Sequence, residues 1–252
     1  MILKSVVKDS PFSKSKVDII IPFHGQYEKV RRLVESIMIG VRSNPYQMTL
    51  IDDCSPNQDF GKDLNNLDPI LNVIRNEKQL GFGGSINVGL KSTSQPWVLF
   101  LNSDCVVEQN TWMLEMGRSL IELKSKGVRV VTSRNNLSYD GCPGIIKGEK
   151  EDAVKDFILE DGFIPLFSFM CHRDLFKHIG GFIKEYPYGL YEDEEFAYRL
   201  NHYGYKQAIC GKSWIYHEGG STFNYLINKF PNIKDDLKEN RNRCINDLNN
   251  LK

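Results

Sequence analysis

The chain has 252 residues with 32 basic and 32 acidic side chains, so its zero net charge gives no general reason to expect binding to nucleic acid or to an anionic membrane. Its six cysteines are scattered without a C-x-x-C pair, which is typical of free thiols in a reducing compartment and disfavours a zinc site. No stretch is apolar enough for a signal peptide or a membrane span, so the sequence predicts a cytoplasmic protein that would meet any lipid-linked substrate from the membrane surface.

Short apolar runs alternate with helical patterns through the first part of the chain. The predicted strands are 17–21, 48–51, 72–74 and 97–101, and the predicted helices begin at Glu28 and at Ser85. Each strand ends in polar residues. This rhythm predicts an α/β fold with a mainly parallel, Rossmann-like sheet that helices flank on both faces.

The rhythm is interrupted in the second part. A helix over 111–124 and a strand over 128–132 precede residues 133–165, which predict a long loop containing a hairpin, an insertion of the kind that shapes a substrate pocket. The remaining predicted elements are a strand at 167–171, a helix from 174 ended by two glycines, a helix at 192–203 and a strand at 206–210. Two amphipathic helices near the C-terminus could pack on this sheet or on a second copy of the chain.

A polar triplet, Asn102-Ser103-Asp104, directly follows the apolar run Trp97–Leu101. The run predicts a strand buried on both faces, and ligands of open α/β sheets bind at the carboxyl ends of such strands. A single carboxylate with an amide two residues before it suits a hard divalent cation that phosphate oxygens complete. The same three residue types are common in turns, so the triplet alone leaves a simple turn open.

Seven motifs across residues 17–222 together resemble an inverting family-2 glycosyltransferase with the GT-A fold. They are VDIIIPFHGQYEKVRRLVESI, LIDDCSP, NEKQLGFGGSINVGL, FLNSD, IGGF, YEDEEFAYRL and YHEGGST, in that family's order and approximate spacing. The resemblance implies transfer of a sugar from a nucleotide-diphosphate donor to an acceptor hydroxyl, usually with Mn²⁺ or Mg²⁺. It also divides a single domain into a nucleotide-sugar half (17–132), an acceptor and catalytic half (133–222) and C-terminal helices (223–252).

The resemblance places the donor nucleoside near the first two strands. Asp52, in preference to Asp53, would accept a hydrogen bond from the nucleobase imide, and Pro22, Phe23 and His24 would line the same pocket. The alternatives are that either aspartate forms an Asx-turn or caps a helix, and that His24 is an ordinary loop residue.

The glycine-rich segment Gly81–Asn87 would bring backbone amides to the donor, with Asn87 near the nucleoside. Its spacing is not that of a Rossmann fingerprint, so a plain tight turn is the alternative. UDP is the preferred nucleotide because it is prevalent in the family, with dTDP and GDP left open.

The resemblance also assigns a metal site. The triplet stands where the family has D-x-D, so Asp104 would bind the metal, while Asn102 and Ser103 would face the donor. Asparagine in place of the first aspartate removes one negative charge, which weakens metal affinity in principle. His217 matches a histidine that completes metal coordination in some members, and imidazole suits Mn²⁺ better than Mg²⁺.

Asp193 is the predicted general base. It opens a helix whose inner face is predicted to contain Phe196, Ala197, Leu200 and Tyr203. At a helix start the local dipole favours the ionised carboxylate that a base requires. Glu194 and Glu195 are predicted to be solvated, and Glu192 is the alternative base or a contact to sugar hydroxyls.

Two other functions stay open. A sugar nucleotidyltransferase would also use an α/β sheet and a metal carboxylate, but it would carry a basic, glycine-rich loop after the first strand, where this chain has PFHGQ. A nucleotide- or glycan-binding protein without turnover is the other alternative, and Asn102 is the residue that keeps it open. The sequence does not identify the sugar, the acceptor or the oligomeric state.

Overall fold

The computed structural model describes residue 12, residues 16–40, 45–57, 59–65, 70–139, 142–152, 154–183 and 191–219, and seven further positions between 235 and 246. Within these residues the strands are β1 (Val17–Phe23), β2 (Tyr46–Asp52), β3 (Leu71–Arg75), β4 (Trp97–Leu101), β5 (Cys105–Val106), β6 (Val128–Arg134), β7 (Phe157–Leu159), β8 (Ser168–His172), β9 (Lys206–Trp214) and β10 (Tyr216–His217). The α-helices are α1 (Tyr27–Gly40), α2 (Phe60–Asn65), α3 (Gly81–Ser92), α4 (Trp112–Leu123), α5 (Leu175–Ile179) and α6 (Glu192–His202).

Eight of these strands form one mixed sheet in the order β3-β2-β1-β4-β8-β6-β9-β7. The strands β3, β2, β1 and β4 are parallel, as the alternating pattern predicts. Strand β8 then runs antiparallel to both β4 and β6, and β9 is parallel to β6. The predicted α/β sheet with flanking helices is therefore confirmed, with a change of strand direction in its second half.

The central strands β1 and β4 are buried on both faces, which explains why they are nearly continuous apolar runs. In β1, Ile19 and Ile21 join the core cluster that contains α1 and α4 side chains, whereas Ile20 joins the cluster on the other face. In β4, Leu99 and Phe100 divide between the two faces in the same way. Alternation along a strand sends successive side chains to opposite faces, so both faces need apolar residues.

Helix α3 lies unusually close to the sheet. A Cβ atom on Gly89 would stand 2.4 Å from Cγ2 of Ile20, so no larger residue fits there without a shift. The helix begins at Gly81, which has a φ of +72°. The prediction that this helix begins at Ser85 is therefore wrong, because the glycines form its first turn and not a loop in front of it.

The insertion at 133–165 contains a 3-10 turn at Gly144–Ile146 and the short strand β7. Strand β7 pairs antiparallel with β9 at the edge of the large sheet, so the predicted internal hairpin is wrong for the described residues. The two predicted C-terminal helices lie largely outside the described residues, although the seven described positions there are helical. None of the helices in the described part of the chain is both long and apolar enough to cross a membrane.

Candidate active site

Asp104 and His217 meet at the carboxyl end of β4. The small ladder of β5 with β10 places His217 opposite Cys105, and the Glu218 amide donates to the Asp104 carbonyl over 3.1 Å. As a result, Nε2 of His217 lies 3.2 Å from Oδ1 of Asp104. Both side chains are buried, at 5% and 6% exposure, so two residues from distant parts of the chain form one compact pair.

The donor set of this pair fits a divalent cation. Ligand atoms of Asp104, Cys105 and His217 all lie within 4.8 Å of one another. Carboxylate oxygen and imidazole nitrogen are suitable ligands for Mn²⁺. Burial, with a smaller effect from the Asp104 charge, raises the pKa of the Cys105 thiol, so at neutral pH it is not the thiolate that metals prefer. Among the described residues of this cluster, Asp104 and His217 are therefore the two groups whose chemistry best suits the ion.

The insertion and the segment before β8 surround the His217 ring. Its ring stacks on Phe167 with centroids 4.9 Å apart, and its Nδ1 lies 2.6 Å from the Tyr139 hydroxyl. The His217 backbone amide donates to Oδ1 of Asn136 over 2.8 Å. Sequence reasoning missed Tyr139 and Asn136, because no periodicity or motif in the insertion marks them.

Asp193 lies in the first turn of α6, half-buried, with Oδ2 accepting a hydrogen bond of 3.1 Å from the Leu166 amide. Burial raises its pKa, and the Leu166 hydrogen bond acts in the opposite direction. Desolvation by burial is therefore the largest effect on this carboxylate and raises its pKa to about 6, while the ionised base that the sequence predicts at the helix start stays a prediction.

The electrostatics also show that Asp193 belongs to the same neighbourhood as the Asp104–His217 pair. Burial is the main cause that raises the pKa of Tyr139, which contacts His217, and the charges of Asp104 and Asp193 both add to that rise. The structure thus brings together the three side chains that the sequence assigned to cation binding and base catalysis.

Glu192 precedes Asp193 and is buried to 8% exposure. Among the described residues its Oε2 has no hydrogen-bond partner. Burial, together with the Asp193 charge, raises the pKa of Glu192, so its neutral acid form is favoured. The residue before it, Tyr191, has a φ of +69°, a strained conformation for an aromatic residue.

The rest of α6 is structural. Phe196, Ala197 and Leu200 are buried as predicted, and Glu194 is exposed as predicted.

Two predictions for this helix are wrong. Tyr203 is 51% exposed, and Glu195 is buried because it forms a two-pronged ion pair with Arg199 one helical turn away. Arg199 also donates to the carbonyls of Ile179 and Gly181, over 2.6 and 2.9 Å, and so ties α6 to the end of α5.

In the region predicted to bind the nucleoside, Asp52 is buried at the end of β2. Its Oδ1 accepts a hydrogen bond of 2.8 Å from the Ser55 amide, an Asx-type turn, and its Oδ2 forms an ion pair with Arg75. Arg75 also donates to the Ser55 carbonyl over 2.7 Å. Sequence reasoning missed Arg75, although it ends strand β3 just as Asp52 ends β2, so the same rule about carboxyl ends of strands would have found it.

Asp53 ties the end of β2 to the start of α3. Its carboxylate accepts hydrogen bonds from the amides of Leu80 and Gly81, at 2.7 and 2.9 Å, and from Nδ2 of Asn76 at 2.9 Å. His24 donates from Nδ1 to the Asp53 carbonyl over 2.8 Å. Asp53 therefore has a structural role at the helix start, which agrees with the preference for Asp52 as the base-binding residue.

Some of the other residues predicted to bind the nucleotide-sugar are buried, and others are partly exposed. Pro22 is buried within β1, and Phe23 belongs to the core, where its ring meets Phe60 edge-on at 5.9 Å. Asn102 and Ser103 are partly exposed beside Asp104.

Asn87 is fully engaged within the chain. Its Nδ2 donates to the Phe182 carbonyl over 2.7 Å, and its Oδ1 accepts from the Phe182 amide over 2.9 Å.

Comparison with known proteins defines the class and then the family. Two solved structures of glycosyltransferases share the fold. The crystal structure of GalNAc-T7 with UDP, GalNAc and Mn²⁺ has a TM-score of 0.63 at 17% identity, covering 81% of this chain and 44% of that one. The mannosyltransferase PcManGT from Pyrobaculum calidifontis, in complex with GDP-Man and Mn²⁺, has a TM-score of 0.63 at 12% identity, covering 89% and 65%. The predicted GT-A fold is thereby confirmed.

The model of the family "Glycosyl transferase family 2" matches residues 18–180, and the chain belongs to that family. An uncharacterized glycosyltransferase from Haemophilus influenzae is 33% identical over 88 residues, which is 35% of this chain and 29% of that protein. The chain thus matches less than a third of the length of this relative.

Proposed function

We propose that the chain is an inverting glycosyltransferase that moves a sugar from a UDP-linked donor to an acceptor hydroxyl with the help of a divalent cation. The observation that carries this proposal is the buried Asp104–His217 pair, with Asp193 in its electrostatic reach, in a chain of family 2. A glycan or another hydroxyl-bearing molecule is the acceptor class.

Asp104 and His217 would hold the cation, Mn²⁺ or Mg²⁺. When bound, such an ion stabilises the negative charge that develops on a departing diphosphate. The chain contributes a pre-formed, buried pair of ligands of the right chemical type. The Mn²⁺ in the structures of GalNAc-T7 and the mannosyltransferase supports the choice of ion.

Asp193 takes the proton from the acceptor hydroxyl, which then attacks the anomeric carbon directly. A direct displacement needs no covalent intermediate on the protein, so the anomeric configuration inverts. The hydrogen bond from the Leu166 amide fixes one carboxylate oxygen and leaves Oδ1 to act as the base. Because burial raises the Asp193 pKa, the carboxylate is a stronger base than an ordinary aspartate.

Glu192 contacts a sugar hydroxyl in this scheme. Its Oε2 is buried and lacks a partner among the described residues, and a substrate oxygen would supply one. In the neutral form that burial favours, Glu192 is a hydrogen-bond donor and a poor base. This assigns the base role to Asp193 in preference to Glu192.

The ion pair of Asp52 with Arg75 supports a base with an imide edge, that is uracil or thymine, and UDP stays the preferred nucleotide of the two. It presents an acceptor next to a donor, which complements an imide N–H next to a carbonyl oxygen. Both Asp52 oxygens already have one partner in the chain, but an ionised carboxylate offers about four acceptor positions, so the imide can still bind. A guanine base would need a further acceptor for its exocyclic amine.

A binding protein without turnover is the second candidate. The observations that favour it are Asn102, where the related motif has an aspartate, and the internal partners of Asp52. A sugar nucleotidyltransferase ranks lower because the residues after β1 carry no basic cluster.

Turnover of a panel of UDP- and GDP-sugars with Mn²⁺, with Mg²⁺ or with a chelator tests the proposal. We expect release of UDP that requires a cation, and a product whose anomeric configuration, read by NMR, is inverted. Preference for GDP-sugars would contradict the assignment of the base, and a retained configuration would contradict direct displacement. Binding that raises the melting temperature without release of nucleotide would favour the second candidate.

A further inference from the structure

Tyr139 contacts the His217 ring from the side opposite Asp104. Its hydroxyl lies 2.6 Å from Nδ1, while the other ring nitrogen, Nε2, lies 3.2 Å from Oδ1 of Asp104. Both nitrogens of a buried imidazole are thus occupied by side chains of this chain. The ring orientation is therefore fixed from two sides.

The Tyr139 hydroxyl is itself held in place. Nδ2 of Asn135 donates to it over 3.2 Å, and the Tyr139 ring lies nearly parallel to Phe167, with an angle of 12° between the planes. Asn135 is fully buried, and its backbone forms hydrogen bonds with Ile146 and Gly148, each of 2.9 Å. The insertion after β6 therefore builds a support for His217 that reaches from Ile146 to the ring.

The partner of Nδ1 must play two roles if Nε2 is to bind a cation. Facing a carboxylate, which only accepts hydrogen bonds, Nε2 of a neutral ring carries the hydrogen and Nδ1 accepts one. When Nε2 binds a metal through its lone pair, Nδ1 carries the hydrogen and donates it. The ring keeps one hydrogen in both states, but its partner at Nδ1 changes from donor to acceptor.

A hydroxyl group can make this change by rotation, whereas a carbonyl or a carboxylate can only accept. We propose that Tyr139 is a positioning residue that supports both tautomers of His217, so that Nε2 can pass from its hydrogen bond with Asp104 to a bond with the cation. This inference deepens the proposed function and rests on its assignment of Asp104 and His217 as cation ligands. It gives the insertion at 133–165 a specific task in the donor reaction.

NMR of the histidine ring nitrogens, in protein labelled with ¹⁵N-histidine, tests the proposal directly. His217→Gln identifies the His217 signals. Without a cation, wild type is expected to carry its hydrogen on Nε2, and saturating Zn²⁺ or Cd²⁺, both diamagnetic, is expected to move it to Nδ1. A hydrogen on Nδ1 before any cation is added would overturn the proposal.

Tyr139→Phe removes only the hydroxyl. We expect the cation-free ring to keep its hydrogen on Nε2, facing Asp104, and Mn²⁺ binding, followed by electron paramagnetic resonance, to weaken roughly 10- to 100-fold, because the Nδ1 hydrogen of the cation-bound ring loses its acceptor. Tyr27→Phe is the matched control, because the Tyr27 hydroxyl also accepts a hydrogen bond, from the Asn57 amide over 2.7 Å, but at a different place. Equal Mn²⁺ affinity in Tyr139→Phe and Tyr27→Phe would overturn the proposal.

The outcome is separable from the fate of the proposed function. Release of UDP by wild type with unchanged cation binding in Tyr139→Phe would refute the role of Tyr139 alone. The expected tautomers and affinities without any release of nucleotide would support the role of Tyr139 and count against glycosyl transfer.

Discussion

The two halves of the sheet treat their polar side chains differently. In the half formed by β1 to β4, Asp53 and Asn87 form hydrogen bonds with backbone groups of this chain, and Asp52 forms an ion pair with Arg75. Beside the half formed by β6 to β9, the first turn of helix α6 carries Glu192, which keeps an oxygen without a partner among the described residues, and Asp193, which accepts a hydrogen bond from the Leu166 amide. The polar side chains of the first half are thus largely hydrogen-bonded within the chain, whereas those of the second half offer hydrogen-bonding positions that a substrate could occupy.

The comparison teaches that a motif residue can serve structure and binding at once. Asp53 accepts a hydrogen bond from a backbone amide at the start of α3, and Asn87 accepts one from the Phe182 amide after α5. Loss of either side chain would therefore destabilise the fold, whether or not that side chain contacts the nucleotide-sugar. In contrast, Asp193 supports little of the fold. Substitutions in the two halves should therefore separate effects on stability from effects on activity.

The largest effect is expected for Asp193→Asn. Asparagine keeps an oxygen that can accept the Leu166 hydrogen bond but cannot take a proton, so kcat should fall roughly 100- to 10,000-fold. Nucleotide release measured beside the melting temperature checks this prediction. Glu194→Gln, at the exposed neighbouring position, serves as the control, and an equal loss in both variants would remove Asp193 from the role of base.

The next effect concerns the buried ion pair of α6. Glu195→Ala leaves the Arg199 guanidinium buried without its carboxylate, so the free energy of unfolding should fall by about 3–5 kcal/mol. Denaturant titration measures this loss. Glu115→Ala, which removes a carboxylate from the more exposed ion pair with Arg118, should cost much less, and comparable losses would contradict the structural role of Glu195.

A smaller loss of stability is expected on the donor side. Asn87→Ala removes the partner of both the amide and the carbonyl of Phe182, which are buried, so we expect a loss of about 1–3 kcal/mol. Chemical denaturation followed by circular dichroism would show it. If the variant were as stable as wild type, water or a neighbouring group would have to satisfy these atoms, and Asn87 would be a candidate for donor contact alone.

The smallest effect is a shift of the acidic limb of the pH–rate profile to higher pH. The base must be ionised, so kcat/KM falls as the pH drops through the Asp193 pKa, and burial places that fall above the value of about 4 for an ordinary aspartate. The acidic limb of the pH–rate profile measures it. Full activity down to the ordinary carboxylate range would show that Asp193 is either solvated or not the base.

Much of the fold was accessible from the sequence because the relevant information is local. The run Trp97–Leu101 is apolar over its whole length, and the strand ending at Asp52 has apolar residues at Met48, Leu50 and Ile51; both lie in the sheet as predicted. The antiparallel direction of β8 and the pairing of β7 with β9 were not accessible, since the direction of a strand depends on the path of the chain around it.

The site was partly accessible for a similar reason. The motif order named Asp104, Asp193 and His217, which the fold brings into one neighbourhood. It could not name Tyr139, whose importance arises only from a contact with a ring nitrogen far along the chain. It also misjudged Glu195, since a run of acidic residues at a helix start does not reveal that Arg199 buries one of them.

The central claim is that the cation pair and the base share one site. The most direct measurement is the broadening by Mn²⁺ of ¹³C signals from labelled aspartate carboxyl groups, in wild type and in His217→Gln. The account predicts that Asp193 broadens together with Asp104, that exposed Asp174 stays sharp, and that the effect is lost in the variant. An Asp193 signal as sharp as that of Asp174 in the presence of Mn²⁺ would contradict it.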